Sequence, residues 1–130
     1  MLFKEGVNPK DLEQLKPAAW ILLCNAILYC EEMGLDLIIT SLISDRKKLT
    51  SESTTHEDGR AFDISTWRWS PVQVQRFLYK FNADYSDIGA ISSSDGKPKA
   101  AVYHNFKNLG EHLHLQVKPN AKWHRFITRS

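Results

Sequence analysis

Cysteine is scarce in this chain, with only Cys24 and Cys30 among 130 residues, which excludes a disulfide framework. The two lie six apart in one expected helix, so they face different directions and cannot bridge each other. Both read as buried thiols of a reducing compartment. Glycine and proline number 6 and 5, too few for a collagen-like or low-complexity chain, and no linker or repeat is visible. An excess of one charge is lacking as well. The net charge is +2 and the Lys and Arg residues are dispersed, so no basic stripe marks a nucleic-acid partner. The longest apolar run, Ala18 to Cys30, covers about 13 residues and contains Asn25, against the ~20 of a membrane span. The opening MLFKEGVNPKDLEQL has no basic region before an apolar stretch and a cleavage site. Synthesis in the cytoplasm without a signal peptide is the expectation.

What is present suits one domain over residues 1–130. With 42% hydrophobic and 25% charged residues, the chain buries roughly two-thirds of its unfolded surface at this size and needs no metal to fold. A metal, where bound, is then there for chemistry, and a monomer is expected.

Asn8-Pro9 opens a short helix over about 9–15, and Pro17 opens a second over 17–33 that Gly34 stops. Leu35 to Ser41 reads as a central strand, residues 42–60 as a long polar loop of the kind that carries function, and 61–66 as a strand. Ser70, Pro71 and Gln73 form a capping box for a helix over 71–82 with Val72, Val74, Phe77, Leu78 and Phe81 on its apolar face. Asp87–Ser92 and Ala100–His104 read as strands joined through Asp95-Gly96, and His112–Val117 as the last strand. This order predicts an α+β fold, an antiparallel sheet with helices packed on one side.

Two segments concentrate metal-binding and proton-moving groups: Thr54 to Asp63 (TTHEDGRAFD) and Glu111 to His114 (EHLH). A catalytic zinc takes three protein ligands and leaves a fourth position open. His56, Asp63 and His114 meet that count, with a turn at Gly59 bringing the first two together. Glu111 is the expected base. It can act beside His114 only if Gly110-Glu111 still belongs to the turn before the strand, because strand residues 112 and 114 face away from 111. Arg46, where the polar loop opens, is placed to hold a substrate carboxylate or a developing oxyanion.

The run T-x-H-x-x-G-x-A-x-D at Thr54 to Asp63, then E-H-L-H at 111–114, resembles the active site of the M15 peptidases, a family of D-alanyl-D-alanine carboxypeptidases, dipeptidases and phage endolysins. The stretch I-T-S-L-I-S-D-R at 39–46 is similar to that family's strand ending in S-x-x-x-x-R. The resemblance implies zinc on His56, Asp63 and His114, Glu111 as base, and Arg46 on substrate. Thr54 stands where the family usually has serine and keeps its hydroxyl, a second substrate contact. The segment between Arg46 and His56 is short for the family. The fold implied is the small α+β domain shared with hedgehog signalling domains. The activity implied is hydrolysis of a peptide bond in peptidoglycan stem peptides, either D-alanyl-D-alanine or L-alanyl-D-glutamate, by an endolysin acting on the cell wall or by a cytoplasmic dipeptidase.

Blander readings stand beside these. The fold could serve as a non-catalytic metal-containing binding module or phage structural module. His112 shares a strand face with His114 and is either its second-sphere partner or solvent-exposed. His104 and His124 read as structural or surface residues, and Glu57 and Asp58 as loop acids. Trp67 and Trp69 either line a substrate groove or cover the sheet.

Overall fold

Alternation along two strands and helical spacing along two helices bring one set of apolar side chains together. The computed structural model describes residues 1–43, 55–56, 58–92, 95–106 and 110–122. Its elements are β1 (Leu2–Phe3), α1 (Pro17–Met33), β2 (Ile38–Ser41), β3 (Ala61–Ser65), α2 (Pro71–Tyr85), β4 (Ala90–Ile91), β5 (Pro98–Lys99), β6 (Ala101–Phe106) and β7 (Gly110–Gln116). Short 3₁₀ helices occupy Pro9–Gln14 and Ser86–Ile88.

The main sheet runs β1-β2-β3-β7-β6, antiparallel throughout except that β1 lies parallel to β2. Phe62 sits opposite Leu115 and Ile64 opposite Leu113, and all four are fully buried. They meet Leu22, Leu23 and Ala26 of α1 and Phe77 and Phe81 of α2 in one core. Tyr29 packs edge-on against both Phe77 and Phe81, so the two helices touch each other and cover the same side of the sheet. The architecture is a small α+β domain with a mostly antiparallel sheet.

Local chemistry explains the helix ends. Pro17 starts α1 where no amide hydrogen is needed, and Gly34 ends it in the left-handed region, with Leu35 N–H donating to the Cys30 carbonyl. The capping box at α2 forms as expected, Gln73 N–H to Ser70 Oγ at 3.2 Å and Ser70 N–H to Gln73 Oε1 at 2.8 Å. That helix runs on to Tyr85, past the expected end at 82. Asn82 fastens it to β6, its Nδ2 donating to the Ala101 carbonyl and its Oδ1 accepting from the Ala100 and Ala101 amides.

Several expectations need correction. The short helix expected over 9–15 spans Pro9–Gln14, capped by the Asn8 side chain, and is wound as a 3₁₀ helix. The strand expected at Leu35 begins at Ile38. The stretch 87–92 is mostly not a strand: Ser86–Ile88 is wound as a 3₁₀ helix, Gly89 passes so close to the Lys99 backbone that a Cβ there would clash, and only Ala90–Ile91 pair, with β5, in a separate two-stranded ribbon. Val72 is exposed and contributes nothing to the core. Cys30 is buried, but Cys24 is exposed. Strand β1 carried too short an apolar signal to be expected at all.

Candidate metal centre

The face of the sheet turned away from the helices is built from the other half of the same alternation. His112, His114 and Gln116 share one side of β7, and the register pairs His114 with Asp63 and His112 with Ser65. On β2 the step from Ile39 to Ser41 answers a single step on β3, from Ile64 to Asp63, through a bulge. The bulge lets Ile39 point into the core while Ser41 stands beside Asp63.

Thr55 and His56 come from the loop before β3. Their position is set by the turn at Gly59, where the Gly59 amide donates to the His56 carbonyl and the Arg60 amide to the Thr55 carbonyl. Gly59 has φ +72°, and a Cβ would clash with the Gln14 carbonyl, so two independent constraints call for glycine here. Arg60 fixes the other end, its Nη1 donating to the Val117 carbonyl at 2.9 Å.

The result is a convergence of buried ligand atoms. One atom each from His56, Asp63 and His114 lie within 4.8 Å of one another. Asp63 Oδ1 is 3.2 Å from His56 Nε2 and 2.8 Å from His114 Nδ1, and His112 Nε2 lies 3.7 Å from Asp63 Oδ2. The His104 ring stacks on His114 at 5.6 Å and meets His112 edge-on at 5.2 Å. Burial alone would raise the Asp63 carboxyl, but hydrogen bonds from His114 and His56 and the charge on those rings outweigh it and hold the group well below the usual carboxylate range.

Gln116 decides whether this donor set fits a cation. Its Nε2 donates to the Ala90 and Lys99 carbonyls, both at 3.1 Å, so its Oε1 must accept. That oxygen lies 2.9 Å from His114 Nε2 and therefore keeps a proton on that nitrogen. In the neutral ring Nδ1 is then the lone-pair nitrogen, and it faces Asp63 Oδ1. Two acceptors at that distance repel unless a proton or a metal ion lies between them. Two imidazoles and a carboxylate, all buried, with the His114 ring held from behind by Gln116, fit a divalent ion with a free coordination position.

Among the expected site residues, the structure brings His56, Asp63 and His114 together. Glu111 is not brought to them. It belongs to the β7 ladder opposite Asn105, with the alternation of Leu113 and Leu115. Both Gly110 and Glu111 already belong to strand β7, so the turn position that would aim Glu111 at His114 is not available to it. Arg46 and Thr54 lie outside the described residues. His112 is buried on the ligand face. Sequence reasoning missed Gln116, Thr55 and His104. The alternation His-Leu-His-Leu-Gln over 112–116 carried the signal for Gln116, since strand periodicity sets it on the face of His114.

Compared with family models, with curated proteins and with solved structures, the chain matches none.

Proposed function

We propose that this protein is a zinc-dependent peptidase acting on the stem peptides of bacterial peptidoglycan. The observation that carries the reading is the buried convergence of His56, Asp63 and His114 on one face of the sheet, in the order and sequence context of the motif described above. Zinc in that position would supply Lewis acidity, polarising a peptide carbonyl and acidifying water. The chain's own groups do the rest. Gln116 fixes the His114 tautomer, the Gly59 turn fixes His56, and Asp63 binds both rings.

Proton transfer to the leaving amine has two claimants. Glu111 holds the role by resemblance, and reaching the ligand face requires it to leave its ladder position opposite Asn105. His112 is the second claimant because it is buried on the same face, 3.7 Å from Asp63 Oδ2. Arg46 and Thr54 are assigned to the substrate on the resemblance alone. A second reading, a metal-containing binding module without catalysis, is favoured by the position of Glu111 on the opposite strand face.

The test is digestion of purified peptidoglycan, with zinc content measured and products identified by mass, for wild type, His56→Ala, Glu111→Gln and His112→Gln. Release of stem-peptide fragments by wild type and loss of both zinc and activity in His56→Ala support the peptidase. Whichever of Glu111→Gln and His112→Gln keeps zinc but loses turnover names the proton carrier. Zinc binding without cleavage of any muropeptide rejects the peptidase in favour of the binding module.

A further inference from the structure

A groove of about 460 Å³ lies at the end of the sheet where β3 finishes and β7 begins, lined among others by Lys4, Ser65, Trp67, Arg68, Glu111 and His112. It adjoins the metal face through His112, whose imidazole lies 3.7 Å from Asp63, and through Ser65, its register partner. Trp67 and Trp69 part company here. Trp69 is buried against Phe77, with its indole N–H donating to the Asp36 carbonyl, whereas Trp67 is 58% exposed.

Arg68 is the unusual residue. The Trp69 amide donates to the Thr66 carbonyl at 2.9 Å, closing a four-residue turn in which Arg68 has φ +68°. That third position of a type II turn favours glycine or asparagine, and a long side chain there is strained. Its guanidinium stacks 4.2 Å over the Trp67 ring, and no ion pair involves it or Lys4 among the described residues. Among the described residues Glu111 is the one carboxylate lining the groove, and it sits near the Tyr103 hydroxyl, which burial and that carboxylate push up. A planar cation, pre-set on an aromatic face and held in a strained turn beside a second cation, suits a carboxylate ligand.

We infer that the Trp67–Arg68 groove is a binding subsite for a free carboxylate of an acidic peptide, and that it positions such a peptide against the metal face. The identity of the peptide rests on the peptidase reading; the subsite itself does not. Arg68 binds the carboxylate, Lys4 adds positive potential, and Trp67 holds the guanidinium while offering its ring to the apolar part of the chain.

The probe is a synthetic stem pentapeptide, L-Ala-γ-D-Glu-L-Lys-D-Ala-D-Ala, with its carboxylates free or all amidated. Binding is measured by calorimetry to the full chain without added metal. Wild type should bind the free form about 10-fold more tightly, as expected for one charge-assisted contact. Arg68→Gln, checked for an unchanged melting profile, should bind both forms equally. Arg68→Gly should lose the same preference while melting a few degrees higher, because glycine relieves the turn. A role confined to the fold would not give higher stability with lost discrimination. Equal binding of both peptides by wild type, a preference that survives in Arg68→Gln, or no measurable binding of either peptide overturns the inference. So does binding that depends on Trp67 but is shown only to N-acetylglucosamine oligomers, which would make the groove a glycan site. Preference without cleavage by zinc-loaded protein would fault the peptidase reading alone, and cleavage indifferent to Arg68→Gln would fault the subsite alone.

Discussion

The two faces of β3 and β7 are made from alternate residues of the same ten-odd positions, yet they are stable for opposite reasons. Toward the helices, Phe62, Ile64, Leu113 and Leu115 bury apolar surface, a non-directional gain that needs no particular partner. Away from the helices, Asp63, His112, His114 and Gln116 are nearly as buried, and each polar atom there loses water that only a well-aimed partner can replace. The apolar face holds the fold. The polar face is held by it, and the short Asp63–His114 contact needs a proton or a metal ion between its two acceptors.

The comparison breaks first at its strongest point, the core. Phe62→Ala should destabilise the protein by about 3–5 kcal/mol in chemical denaturation, while the folded fraction still binds one zinc per chain. Loss of zinc binding at temperatures where the variant remains folded would mean that the faces are not separable.

Metal addition sharpens the comparison from the other side. Zinc at a hundredfold excess over its dissociation constant should stabilise wild type by about 2.7 kcal/mol, read as a rise in melting temperature that chelator reverses. His56→Ala and His114→Ala should melt without that rise. An equal zinc shift in both variants would show that the ion binds elsewhere.

Gln116→Leu tests the outer hydrogen bonds alone. Removing the acceptor that fixes His114 should weaken zinc by roughly 10–100-fold, measured by competition with a chromophoric chelator, with His56 and Asp63 untouched. Wild-type affinity in this variant would refute the tautomer argument built on Gln116 Oε1.

The same division explains what was legible in the sequence. Apolar periodicity and capping residues located α1 and α2 and the central strands, because helix starts and buried alternation are local properties of the chain. The candidate ligands His56, Asp63 and His114 were legible as residue types, since few other side chains bind divalent ions. What escaped depends on relations between distant residues. The close pass of Gly89 at Lys99 and the bulge between Ile39 and Ser41 exist only once the sheet is assembled. The side on which Glu111 falls turned on a single residue of register at Gly110. Trp67 and Trp69, alike by spacing, were parted by a turn whose strained residue is an arginine, where local rules favour glycine.

The smallest effect comes from a titratable group on the apolar side. Burial pushes the Cys30 thiol up to about 12, with the nearby N-terminal amino group pulling the other way. Its folded value thus exceeds its unfolded one, so the fold keeps a proton that the unfolded chain releases above about pH 9. This contribution to stability is complete below that pH and is lost as pH rises toward 12. Cys30→Ala should therefore lose less stability than wild type between about pH 8 and pH 10.5, in urea titrations at each pH. Parallel pH profiles for wild type and Cys30→Ala would mean that the thiol ionises without cost. The helix face would then admit water as readily as the metal face, and the contrast between them would fail where it was expected to be sharpest.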